Sequence, residues 1–90
     1  MMTYTRDPGV PHQKLDEETI VVDPRTREVH LFNETAARIW ELLASPATVD
    51  DLTAALADEY DAPAAELRAS VEETLGQLRD KGLLASQGGA

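Results

Sequence analysis

The sequence predicts an α+β domain of winged-helix type, a three-stranded antiparallel sheet followed by three helices. Three observations lead there. A β-branched run is split by one tight turn before Asn33, the apolar period changes at Asn33 from two to about 3.6, and two breaks divide the rest of the chain into three segments. A chain of 90 residues has apolar material for one small core.

Residues 1–9, ending Asp7-Pro8-Gly9, carry breakers and no periodicity, which predicts a flexible lead-in. Val10 to Leu15 reads as a first strand, with Pro11 restricting it to a sheet edge or a strand start. Thr19-Ile20-Val21-Val22 is β-branched throughout, and Asp23-Pro24-Arg25-Thr26 has Asp and Pro where a type I turn favours them. Glu28-Val29-His30-Leu31-Phe32 resumes the strand pattern, so Glu18 to Phe32 is a hairpin. Asn33 is a favoured N-cap, and Ala36, Ile39, Trp40 and Leu43 make one apolar stripe behind it. Ser45-Pro46-Ala47 ends that helix. Thr48 caps a second, with Asp50 and Asp51 where the helix dipole favours acids and Val49, Leu52, Leu56 and Tyr60 turned inward. Pro63 opens a third helix of about 17 residues, or roughly 25 Å, whose inner stripe is Leu67, Val71, Leu75 and Leu78. Gly82 suits a left-handed C-cap that brings Leu83 onto Leu78. The domain therefore covers 10–84, and the tail 85–90 is expected to be disordered.

Charge narrows the range of functions. Seventeen acids against eight bases leave a net charge of −9. Residues 41 to 80 alone hold ten acids against Arg68 and Arg79. Nucleic acids and anionic lipid both need Lys and Arg to replace counterions, so neither is an expected partner. No stretch approaches the roughly 18 unbroken apolar residues of a membrane span, and the start has no signal-peptide core, which predicts a cytoplasmic protein. Without cysteine there is no disulfide and no thiolate ligand or nucleophile.

The segment Phe32-Asn33-Glu34-Thr35-Ala36-Ala37-Arg38-Ile39-Trp40-Glu41-Leu42-Leu43 resembles the Leu-Asn-x-Thr-Ala-Ala-x-Ile-Trp/Leu-x-Leu-Leu segment of the PqqD-like proteins. These are winged-helix recognition elements that bind leader peptides of ribosomally made, post-translationally modified peptides (RiPPs). Thr48-Val49-Asp50-Asp51-Leu52, the Tyr60-Asp61 junction and the ending from Leu75 to Leu84 continue the resemblance, which runs from about Val10 to Leu84. Its specificity lies in the order and spacing of these elements, because each one alone is a cap or a core position. Phe32 replaces the usual Leu, and the Gly-Arg-Tyr-Trp strand of the lasso-peptide subgroup is absent, Thr26-Arg27-Glu28-Val29-His30 standing there.

The resemblance implies a noncatalytic peptide chaperone without a cofactor. A leader peptide adds as a further antiparallel strand beside the third strand and packs against helix three, and a modifying enzyme receives it. That enzyme could be a radical SAM enzyme, a leader peptidase or a cyclase. The peptide-binding residues so implied are Glu28, Val29, His30, Leu31 and Phe32 on the strand and Arg68, Val71, Glu72 and Leu75 on the helix. Physically, an open edge supplies unpaired N–H and C=O groups, and alternate side-chain pockets select among sequences. The same edge allows a monomer or a strand-paired dimer.

Each residue also has a plainer reading. Trp40 sits at a core position of its stripe, Val71 and Leu75 belong to an inner stripe, and Arg68 has Glu72 as an intrahelical partner. His12, His30 and Asp16 are too scattered to predict a metal site, and no Ser-His-Asp arrangement predicts an enzyme. Two alternatives remain: a winged-helix DNA-binding regulator, which the charge opposes, and a structural partner-binding subunit that never meets a leader.

Overall fold

A computed structural model describes residues 2–85. The chain forms β1 (His12–Leu15), β2 (Glu18–Val22), β3 (Val29–Phe32), α1 (Glu34–Leu42), α2 (Val49–Glu59) and α3 (Ala64–Asp80), the predicted sequence of elements. The sheet is antiparallel in the order β1-β2-β3, with Val21 opposite both His12 and His30, and Thr19 opposite both Lys14 and Phe32. Those residues share the face under the helices, where Thr19 and Val21 are buried. The other face carries Leu15, Ile20, Val22, Val29 and Leu31 by the same register.

Each helix starts where its cap directs. Asn33 Oδ1 accepts the Ala36 N–H at 2.9 Å. Thr48 and Asp51 form a reciprocal capping box, each side chain accepting the other's N–H at 3.0 Å. Pro63 stands at the N-cap of α3 with an extended ψ of 141°, just before the first turn. At the far end Gly82 takes φ 70°, its N–H donates to the Arg79 carbonyl, and the Leu83 N–H donates to the Leu78 carbonyl at 2.9 Å. This is a Schellman ending with both leucines buried. The Arg25 guanidinium lies over Gly82 and donates to the Lys81 carbonyl at 2.8 Å, tying the β2–β3 turn to the end of α3. Gly82→Ala is therefore expected to cost about 1–2 kcal/mol, from the left-handed backbone and the displaced arginine, which urea unfolding would read.

Trp40 is the centre of the core, fully buried beside Ile39, Leu43, Leu56 and Val71. Its ring meets Phe32 and His12 edge-on, both at 5.8 Å between centroids, so it fixes both outer strands against α1. Arg38 of α1 forks onto Glu59 of α2 at 2.7–2.9 Å. The hydrogen bonds of that fork hold the Glu59 carboxyl below its usual range and the guanidinium above its own, each against the opposing effect of burial.

Three expectations need correction. The lead-in over residues 1–9 is in part built into the fold: Tyr4 exchanges hydrogen bonds with Ala47 at 2.8 and 3.0 Å, and the Arg6 N–H donates to the Leu43 carbonyl at 2.9 Å. Arg6 also lies over the Trp40 ring at 5.6 Å. Single bridges of this kind have no period, so no local pattern announces them. The tail expected over 85–90 begins with Ala85, whose N–H donates to the Thr5 carbonyl at 2.8 Å. Residues 86–90 lie outside the described residues. The first strand also starts later than Val10, which is instead buried in the core.

Candidate functional site

The open edge of β3 is the starting point, and its hydrogen-bond directions can be worked out from two bonds. The Asp23 N–H donates to the Glu28 carbonyl at 2.9 Å, and the Val22 N–H donates to the Pro11 carbonyl at 3.0 Å. Successive residues of an antiparallel strand bond to opposite neighbours, so on β2 Thr19 and Val21 face β3 while Ile20 and Val22 face β1. Their partners His30 and Phe32 therefore bond inward, and the N–H and C=O groups of Val29 and Leu31 point out of the sheet. Glu28, expected within the edge, lies outside β3 in the turn, with its carbonyl turned inward to Asp23.

The turn is rigid for a local reason. Asp23 is buried, and its Oδ1 accepts the Arg25 N–H at 2.9 Å while the Arg27 N–H closes on its carbonyl at 2.7 Å. The backbone bond from Arg25 is the largest influence holding the Asp23 carboxyl below its usual range; burial opposes it, and the Thr26 N–H and the Arg25 charge add to it. Arg27 completes the loop at φ 64°. An open groove lies between this turn, β3 and the end of α3, lined by Arg25, Thr26, Glu28, His30, Asp80 and Lys81.

The structure places the nine expected residues in different settings. Val29 and Leu31 are 64% and 61% exposed on the edge, while His30 and Phe32 are half-buried on the inner face. Val71 and Leu75 are 0% and 4% exposed, part of the core and closed to a ligand in this conformation. Arg68 pairs with Asp50 at the start of α2 instead of with Glu72, bordering a pocket with Tyr4 and Val49, and Glu72 is exposed. At about 100° per residue, Arg68, Glu72 and Arg79 lie on one flank of α3 and Ser70, Thr74, Gln77 and Lys81 on the other. Lys81 lines the groove with His30, so the flank beside β3 is the second one. Ser70 and Thr74 are half-buried there, and a small polar residue beside an apolar stripe gives no signal of its own in the sequence.

Among the described residues no group of three His, Cys, Asp or Glu is arranged to hold a metal ion. The arrangement offers backbone hydrogen bonding along an edge, beside a polar groove that carries charges of both signs.

The model of one protein family, coenzyme PQQ synthesis protein D (PqqD), matches residues 18–84. No curated protein matches the sequence. Three solved structures share the fold. TbiB1 in complex with the TbiA(beta) leader peptide superposes with a TM-score of 0.81 at 22% identity, over 96% of this chain and 98% of that one. Lasso peptide synthetase B1 complexed with the leader peptide gives 0.78 at 20%, over 92% and 98%. The PqqD truncation of Methylobacterium extorquens PqqCD, a stand-alone RiPP recognition element determined by solution NMR, gives 0.75 at 20%, over 93% and 89%.

Proposed function

We propose a function from kinship: this chain belongs to the PqqD family, and it acts as a noncatalytic adaptor that captures the leader of a RiPP precursor and presents it to a modifying enzyme. The observation that carries this reading is the β3 edge, whose outward groups belong to Val29 and Leu31 beside the α3 groove. A leader strand satisfies those groups whatever its sequence, and its inward side chains meet His30, Ser70, Thr74 and Lys81, which select. Holding the leader raises the effective concentration of the core peptide at the enzyme, so the adaptor itself needs no catalytic group. Two relatives of the same fold, TbiB1 and lasso peptide synthetase B1, are known in complex with leader peptides, which supports the reading. No helix among the described residues is long and apolar enough to cross a membrane, in keeping with an adaptor working in the cytoplasm.

The direct test is a calorimetric titration with the leader of the precursor peptide encoded nearest to this chain's gene, alongside a labelled random duplex. Saturable leader binding and no duplex binding at physiological salt are expected. Duplex binding that weakens steeply with salt, without leader binding, would sink the adaptor and favour the regulator.

The flank of α3 has its own test. Thr74→Glu is expected to weaken the leader by about tenfold or more through a charge forced into the groove, whereas Arg68→Glu, on the α2 side, changes affinity by less than about threefold. The reverse ranking would place the leader on the Arg68 flank.

A further inference from the structure

The two edges of the sheet are protected unequally. On β1 the outward residues are His12 and Lys14, Pro11 stands at its start, and Lys14 reaches across to Glu41 at 3.1 Å. Lysine and proline are the usual guards against a second strand. β3 has neither, and its outward residues Val29 and Leu31 carry the most exposed large apolar side chains among the described residues. The acids of α2 and α3 do not shield it either. Around β3, Arg25, Arg27 and Lys81 stand against Asp23, Glu28, Glu34 and Asp80, so a protein of net charge −9 is close to neutral at this edge.

We propose that a second copy of this chain occupies the β3 edge when no leader is present, giving a weak two-fold dimer that blocks its own leader site. This rests on the reading of β3 as that site. Outward groups meet only outward groups, and the two-fold register that uses all of them sets Val29 of one copy opposite Leu31 of the other, twice over, with His30 on the axis. All four outward N–H and C=O pairs are then satisfied. The exposed Val29 and Leu31 side chains pack against each other across the join, and the apolar outer faces merge into one six-stranded surface. The same register sets Arg27 of each copy against Asn33 and beside Glu34 of the other, a charge complement at both ends. Two four-residue edges bury far less than the roughly 1,200 Å² of a stable interface, so the dimer is weak enough for a leader to displace.

Sedimentation velocity of the intact chain from about 20 μM to about 1 mM tests this, since an interface of that size belongs to the weak class. Wild type should move from the 9.8 kDa monomer toward twice that mass. The double variant Val29→Lys/Leu31→Lys, which sets ammonium groups opposite one another across the axis, should stay monomeric while its circular dichroism remains that of a folded domain. Adding the leader peptide to concentrated wild type should return it to monomers. A wild type that is monomeric at the highest concentration overturns the proposal, as does a double variant that dimerises like wild type. If the leader binds the dimer without dissociating it, self-blocking is overturned and the leader lies away from β3. If wild type dimerises but no leader binds, the dimer stands and the adaptor reading falls.

Discussion

Leu31→Pro is expected to leave the domain folded and to weaken leader binding, whereas His30→Pro, one residue earlier, is expected to destabilise the fold itself. Proline deletes one N–H and fixes φ near −65°. At Leu31 the deleted donor points out of the sheet, where proline is tolerated on an edge strand, so the melting temperature should move little. The incoming strand loses that bond and meets the ring, and affinity should drop by about tenfold to a hundredfold, or roughly 1.4–2.8 kcal/mol. At His30 the deleted donor belongs to the ladder with Val21, and the ring points into β2. The expected loss is about 3 kcal/mol of stability, with binding lost only as a consequence. Circular dichroism melts and a fluorescence titration with the leader separate the two. If Leu31→Pro is folded and binds as wild type does, strand addition to β3 is not the mechanism.

Trp40→Ala should be the most damaging single substitution for stability, at about 3–5 kcal/mol. The side chain is 0% exposed and touches the inner faces of both outer strands through His12 and Phe32. Its loss opens a cavity where α1 meets the sheet and frees Phe32, and with it the inner face of β3. Small domains hold about 5–15 kcal/mol in total, so the variant should lose a large share of its stability. Because the chain has a single tryptophan, far-ultraviolet circular dichroism in urea is the appropriate measurement. Trp40→Phe keeps much of the volume and the edge-on contacts and should lose about half as much or less. A loss below about 1 kcal/mol for Trp40→Ala would mean that the core is organised elsewhere.

Much of this fold is legible along the chain, because local physics decides it. Asn33 and Thr48 can cap, Gly82 can take the left-handed conformation, and the stripe from Leu67 to Leu78 can be buried only on one side of a helix. Those properties belong to a few neighbouring residues, and the tertiary structure leaves them as they are. The family likeness also lay in such spacing, from Phe32 to Leu43 and onward.

The site was less legible. The sequence limits the outward-bonding set of β3 to one of two alternating choices, but only the bond from Asp23 to Glu28 decides it, because parity depends on where the turn closes. Periodicity shows which stripe of α3 is inward and leaves both flanks equivalent. What each flank packs against differs: Asp50 draws Arg68 to α2, and Lys81 comes beside His30 through the Arg25 tie. Tyr4 and Arg6 obey the same rule, since a single bridge to a residue some forty positions or more away leaves no local trace. Sequence alone thus determined the elements, their caps and their buried faces, which depend on neighbours within a few residues. Tertiary packing decided the open edge, the flank beside it and the tethering of the first residues, because each depends on a partner distant along the chain.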